Sequence, residues 1–250
     1  EEMVNEYKAI KKLAPFENLL LVTGENPAAA GVPYIARALD LAKPYFSNLQ
    51  IEVMPLKAEE YEELTHHGLN GVICFQETYN KENYEALHPT GPKHDYAYHT
   101  EAMDRAMQGG IDDVGLGVLF GLEQYRYEFC GLLMHAEHLE AVHGVGPHTI
   151  SVPRICPADD IDPGTFSNAI NDDIFAKLVA CIRIAVPYTG MIVSTRESQK
   201  SRERVLHLGI SQISGGSRTS VGGYQEPVRP QDTAQFDVSD QRSLDEVVRW

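Results

Sequence analysis

Charged and hydroxyl residues recur in this chain directly after short apolar runs. Thr23-Gly24-Glu25 follows Leu19–Val22, Gln76 and Glu77 follow Gly71–Phe75, and Arg154 closes the run His148–Pro153. Thr195, Arg196 and Glu197 follow Met191–Ser194, while Ser214, Ser217 and Arg218 come at and after the end of 211–214. The run Asp113–Gly117 ends only in glycine. Carboxylates such as Glu25 and Glu77 can hold an ammonium group or ribose hydroxyls, and the planar fork of Arg196 suits a carboxylate. Gly115 and Gly117 lack a Cβ, so a flat ring could approach the backbone there. This mixture of charges suits a zwitterion, such as an amino acid or its sulfonium derivative. Each residue read singly has a plainer explanation, as a solvated charge or a neighbour's partner. Recurrence at successive run ends favours binding.

Other groups carry weaker signals. His148 lies in a Gly146-Pro147-His148-Thr149 turn and on its own reads as a hydrogen-bonded structural histidine. His135-x-x-His138 has one-face helical spacing but no third donor beside it, so a metal site does not follow. Gly215-Gly216 and Gly222-Gly223 could cradle a phosphate, a weak signal for isolated pairs. Tyr79, Tyr84, Tyr96 and Tyr98 read as packing. Cys74, Cys130, Cys156 and Cys181 form no C-x-x-C pair, and free thiols in apolar surroundings suit a reducing compartment.

The elements that must position these residues alternate. Val4, Tyr7, Ile10 and Leu13 have helical spacing, and Pro15 stops them. Strand-length runs then alternate with helical stretches at 33–42, 58–67, 95–107, 132–139, 174–182 and 205–208, with a long loop from Gln76 to Tyr96. The continuously apolar Gly71–Phe75 reads as buried on both faces. Strict alternation implies a parallel sheet. Seven such units favour an α/β fold of the (β/α)8 TIM-barrel type over an open doubly wound sheet. In a barrel, functional residues sit at the C-terminal strand ends. The whole of 1–250 reads as a single domain, with about 225–242 as loop. Ser243-Leu244-Asp245-Glu246 is a capping box opening a C-terminal helix over 243–250.

Composition sets limits. The net charge is −15 and the hydrophobic fraction 43%. The first disfavours phosphate backbones, so nucleic acid is a poor partner, and the second suits a globular protein. No apolar run approaches the roughly 18 residues a membrane span needs.

The strand-end segments resemble a known family. LLLVTGE (19–25), FQETY (75–79), LHPTGPKHDY (87–96), AMDRAMQGGIDDVGLGVLFGL (102–122), GVGPHTISVPR (144–154), VPYTGMIVSTRE (186–197) and GISQISGGSRTSVGGY (209–224) are similar to the radical S-adenosylmethionine aromatic amino-acid lyases. The likeness extends over nearly the whole chain and is strongest to the tyrosine lyases of FeFe-hydrogenase maturation. It implies a radical S-adenosylmethionine barrel. A 4Fe-4S cluster would cleave S-adenosylmethionine reductively, and the resulting radical would split tyrosine into p-cresol and dehydroglycine. Dehydroglycine would then yield carbon monoxide and cyanide on an auxiliary iron–sulfur cluster. The thiazole branch, the 2-iminoacetate synthases, shares the VTGE and QETY regions and is the alternative. A non-catalytic ligand-binding barrel is a further one.

By this resemblance Gly24, Glu25, Glu77 and Arg105 bind S-adenosylmethionine, and Gly115 and Gly117, read above as room for a flat ring, are placed with them. Arg196 and Ser214 bind tyrosine, and His148 holds a labile iron of the auxiliary cluster. No residue is assigned as catalytic. The expected partners are L-tyrosine, a reductant and other hydrogenase maturation proteins, with no nucleic acid and no membrane, in the cytoplasm. The family's C-x-x-x-C-x-x-C triplet is absent from the sequence. It is expected in a loop upstream of Glu1, after a first barrel strand, and the auxiliary-cluster cysteines after Trp250. This chain alone is therefore expected to be inactive.

Overall fold

The computed structural model describes residues 1–156, 162–220, 222–224 and 238–250. The elements run α1 (Glu2–Leu13), β1 (Asn18–Val22), α2 (Pro27–Ala30), α3 (Val32–Ala42), β2 (Asn48–Glu52), α4 (Ala58–His66), β3 (Leu69–Phe75), α5 (Lys81–Leu87), α6 (Tyr96–Thr100) and α7 (Ala102–Gln108). They continue with β4 (Asp113–Gly117), α8 (Tyr125–His143), β5 (Thr149–Ser151), α9 (Asp172–Ala185), β6 (Gly190–Val193), α10 (Gln199–Leu206), β7 (Gln212–Ile213) and α11 (Leu244–Arg249). The seven strands are ordered as in the chain, β1 to β7. The pairings β1–β2, β2–β3, β5–β6 and β6–β7 are parallel. Most of the 225–242 loop expected from the sequence lies outside the described residues.

The chain forms two compact units. The first comprises Glu1–Cys74 and His88–Gly115, with a later stretch beginning at Ser220. Here β2 buries Leu49 and Ile51, while α3 buries Ile35, Leu39 and Ala42. Alternation with period two on the strand and three-to-four on the helix produces this layer. A bulge shifts the β2–β3 register between Leu49 and Gln50. The Asn70 side chain fills the broken ladder by accepting from the Leu49 amide at 2.9 Å.

The second unit comprises Phe75–Leu87, Leu116–Thr219 and the C-terminal residues. Its core includes Phe120, Leu132, Ile150, Phe175, Val179, Ile182 and Met191, none more than 1% exposed. α9 starts at Asn171, whose side chain accepts from the Asp173 and Ile174 amides. Acids in its first turn, Asp172 and Asp173, interact favourably with the helix dipole. α8 stops at Gly144 with φ 76°, the left-handed cap that glycine adopts without strain.

Several expectations change. The expected helix 95–107 is two helices, α6 and α7, which meet at Glu101. The expected loop 76–96 contains α5 and a 3-10 turn at Pro92–His94. α2 was not anticipated; Asn26 caps it with Pro27 in its first turn. β3 is not buried on both faces throughout, because Ile73, Cys74 and Phe75 are half-exposed. Cys130 and Cys181 are exposed rather than set in apolar surroundings.

The C-terminal segment is latched by a buried ion pair. Arg202 on α10 is fully buried and donates to the Asp240 carboxylate and the Ser214 carbonyl. The amides of Ser239 and Asp240 donate to the Thr195 carbonyl at 2.9 and 3.0 Å. The chain then enters α11 through a capping box between Ser243 and Glu246.

The Arg242 guanidinium, together with Arg202, holds the Asp240 carboxyl at about 2. A carboxyl depressed in the folded state contributes stability that is complete above about pH 4 and lost as pH falls toward the folded value. We expect Asp240→Asn, which strands a buried guanidinium, to cost about 3–5 kcal/mol at pH 7. Denaturant unfolding checks this, and the gap from wild type should narrow as pH falls toward 2.

Candidate ligand-binding strand ends

In the first unit, β1 leads into Gly24 and Glu25. A Cβ built on Gly24 would meet nothing within 4 Å, so the backbone there faces open space. Glu25 forms an ion pair with Lys93 at 3.3 Å, both about a quarter exposed. Lys93 comes from the 3-10 turn Pro92–His94. Arg105 on α7 donates through Nε to the Leu56 carbonyl at 2.8 Å and through Nη2 to the Tyr98 carbonyl. Its guanidinium lies 3.7 Å from the centroid of the Tyr98 ring. Tyr98 is therefore a cation–π partner as well as a packing residue. Gly115 on β4 makes room for a side chain, since a Cβ there would lie 2.9 Å from Ile73. A cleft of ≈ 340 Å³ is walled by Pro27, Val32, Pro33, Met54 and Leu56. None of the residues expected to bind a ligand lines it.

In the second unit, the chain leaving β3 turns at Glu77, which has φ 67°. The Gln76 amide donates to the Gly117 carbonyl, and the Leu119 amide to the Glu77 carbonyl, both at 2.9 Å. A Cβ on Gly117 would lie 2.6 Å from the Phe75 ring. At both Gly115 and Gly117, then, the room left by the missing Cβ is taken by a β3 side chain.

β5 and β6 end in a locked pair. Arg154 donates Nε to Glu197 Oε1 at 2.8 Å and Nη2 to Oε2 at 2.7 Å, a two-point grip. It also reaches Asp172 at 2.6 Å and the Ile170 carbonyl at 3.1 Å, over the Phe175 ring. Glu197 is 5% exposed. These two strand-end charges hold each other. Beside them, burial and the Glu197 carboxylate push the Cys156 thiol up to about 11.

Arg196 and Ser214 leave adjacent parallel strands at the same end, β6 and β7. Both are half-buried. The Arg196 amide donates to Ser194 Oγ at 3.3 Å, and the Ser214 amide to the Val193 carbonyl at 3.3 Å. His148 is exposed and precedes β5, at the opposite end of that strand from Arg154. Gly215 and Gly216 give room to α11, because a Cβ on them would lie 3.1 Å from Val247 and from the Leu244 amide. That contact gives the pair a packing role.

Sequence reasoning missed Glu128. It is fully buried on α8 and accepts from the Thr78 hydroxyl and, at 2.8 Å, from the Tyr79 amide. Its only sequence signal was a charge on the apolar face of a helix, four residues before Leu132. His135, one further turn along, meets the Tyr79 hydroxyl at 3.0 Å. Among the described residues no group of three His, Cys, Asp or Glu side chains could hold a metal ion. The described residues thus supply no complete ligand set for an iron–sulfur cluster, and no described helix is long and apolar enough to cross a membrane.

Comparison with known proteins gives a consistent picture. The Biotin and Thiamin Synthesis associated domain matches residues 151–250. The 2-iminoacetate synthase of Escherichia coli (strain K12) is 36% identical over 90% of this chain and 59% of its own length. A crystal structure of HydG, a maturase of the [FeFe]-hydrogenase, superposes with TM-score 0.93 at 46% identity, covering 99% of this chain and 55% of that one. HydG from Carboxydothermus hydrogenoformans gives TM-score 0.87 at 38% identity over 99% of this chain and 56% of that one. The chain spans less than three-fifths of each relative. The fold is a parallel β/α barrel like that of these relatives, and the resemblance read from the motifs holds along the chain.

The thiols make a direct check. A thiol held near 11 stays protonated and poorly nucleophilic at pH 8. We expect iodoacetamide at pH 8 to modify the exposed Cys130 and Cys181 well before Cys156, as followed by peptide mass spectrometry.

Proposed function

The chain being a β/α barrel similar throughout to HydG and the 2-iminoacetate synthases, we propose that the protein is a radical S-adenosylmethionine tyrosine lyase. It cleaves the Cα–Cβ bond of L-tyrosine to p-cresol and dehydroglycine. The dehydroglycine becomes carbon monoxide and cyanide for the FeFe-hydrogenase active site, in concert with other maturation proteins, in the cytoplasm. The observation that carries this reading is the identity to the hydrogenase maturase, 46% over 99% of the chain. The 36% identity to 2-iminoacetate synthase favours a second reading, in which the same cleavage stops at dehydroglycine.

When bound, S-adenosylmethionine and a 4Fe-4S cluster would supply the radical chemistry. This chain's residues bind and orient. Gly24, with open space beside its backbone, and Glu25 take the methionyl end, where Glu25 accepts from the ammonium. Glu77 and Arg105 are assigned to the same cofactor by their match to the family's motifs. Arg105 already spends donors on two backbone carbonyls, so its part is to fix Tyr98 and the chain around it. Arg196 grips the tyrosine carboxylate and Ser214 offers a hydroxyl beside it. The parallel register of β6 and β7, which sends both residues out at one end, supports that pairing. His148, at the far end of β5, is assigned to a labile iron of a separate auxiliary cluster.

The test uses the protein as its gene encodes it, reconstituted with iron and sulfide and given S-adenosylmethionine, tyrosine and a reductant. We expect p-cresol, with carbon monoxide and cyanide accompanying it. Absence of p-cresol overturns the lyase reading, and p-cresol without carbon monoxide or cyanide moves the protein to the thiazole branch. Arg196→Lys keeps the charge but loses the two-point grip, and we expect tyrosine binding to weaken about tenfold or more. Unchanged binding by titration removes Arg196 from the site.

A further inference from the structure

The turn after β3 is built more elaborately than a surface connection requires. Among the described residues Glu77 is the only non-glycine residue with positive φ, at 67°. Across it the Thr78 amide donates to the Gln76 carbonyl at 2.9 Å. A three-residue reversal with positive φ at its centre is the rare, strained kind of turn. Such a conformation persists where its surroundings over-determine it, and it concentrates at functional sites.

Those surroundings come from α8. One oxygen of the buried Glu128 carboxylate accepts the Thr78 hydroxyl, and the other accepts the Tyr79 amide at 2.8 Å. The Thr78 oxygen in turn accepts from the Asn80 amide at 3.1 Å. Asn80 donates to Glu123 at 2.9 Å, and Asn83 to the Leu122 carbonyl at 2.8 Å. Gly131, three residues after Glu128, has no Cβ, and one there would lie 2.5 Å from the Tyr79 ring. His135 continues the same helix face to the Tyr79 hydroxyl. Glu128, Gly131 and His135 thus form one stripe shaped to Thr78 and Tyr79. Burial pushes the Glu128 carboxyl above the usual range. Placing an acid there opposes folding in its charged form, whereas an apolar residue would carry no such cost. Its two bonds to the turn are what the position gains.

We propose that Glu128 is a positioning residue. Through Thr78 and Tyr79 it holds Glu77 in its left-handed turn and so fixes where the Glu77 carboxylate departs toward S-adenosylmethionine. The assignment of Glu77 to that cofactor rests on the reading above; the holding of the turn does not.

The test is made on the intact protein with Glu128→Gln and with Thr78→Val, which keeps shape but removes the hydroxyl. Affinity for S-adenosylmethionine is measured by titration, affinity for tyrosine at saturating S-adenosylmethionine, and amide hydrogen exchange across 76–80. We expect S-adenosylmethionine affinity to fall tenfold or more in both variants, with tyrosine affinity within twofold of wild type. Faster exchange should be confined to the Thr78 and Tyr79 amides. In a Glu77→Gly background, where glycine takes the turn unaided, Glu128→Gln should add no further loss. Unchanged cofactor affinity overturns the proposal. So do two affinities that fall together with the folded fraction, which is the mark of a purely structural acid. A wild-type protein that does not bind S-adenosylmethionine overturns the lyase reading instead, and the exchange data alone then decide whether Glu128 holds the turn.

Discussion

A strand that ends inside a protein leaves peptide groups without a neighbouring strand to pair them, and a buried peptide group left unpaired is costly. In this chain charged side chains take up unpaired peptide groups at strand ends and in the loops and helix ends beside them. Arg105 accepts the task for the carbonyls of Leu56 and Tyr98, and Arg154 for that of Ile170. Arg202 serves Ser214 at the exit of β7. At the entries of β6 and β7, Arg183 donates to the carbonyls of Pro187, Thr189 and Gly209. Glu128 does the complementary work, accepting an amide. The fork of the guanidinium lets one side chain satisfy a carbonyl and a carboxylate together, as Arg154 and Arg202 both do.

This division of labour separates the charged residues at the strand ends. Arg154 and Glu197 neutralise one another in a nearly dry setting, as Arg202 and Asp240 do. Breaking such a pair is expensive because the survivor stays buried. These residues belong to the frame. Gly24, Glu25, Glu77 and Arg196 are the ones proposed to meet the ligands. A net charge of −15 hides this arrangement, since it says nothing of which acids have a cation beside them.

Much of the fold was legible because its signal is local. The alternation of Leu49 and Ile51 with polar neighbours, the spacing of Ile174, Leu178 and Ile182, and the Ser243–Glu246 capping box all act within one turn or strand. Boundaries were less legible. A break at Glu101 divides one helical pattern into α6 and α7, and α5 sits in a stretch whose polarity reads as loop. The sequence identified Glu77 as chemically interesting, yet gave no sign that it would be strained.

What the sequence determined by itself was therefore periodicity, the order of strands and helices, and the chemical types waiting at each strand end. Its motifs also carried the family likeness. Only the tertiary structure decided which of those types are already engaged. Arg154 and Glu197 are 43 residues apart, Arg202 and Asp240 38, and Thr78 and Glu128 50. Gly115 and Gly117, legible as room for a ligand, give that room to Ile73 and Phe75. The physical reason is the same in each case. A hydrophobic period is set by a residue's own backbone geometry, whereas a hydrogen-bond partner or a filled space is set by whichever distant segment packing brings alongside.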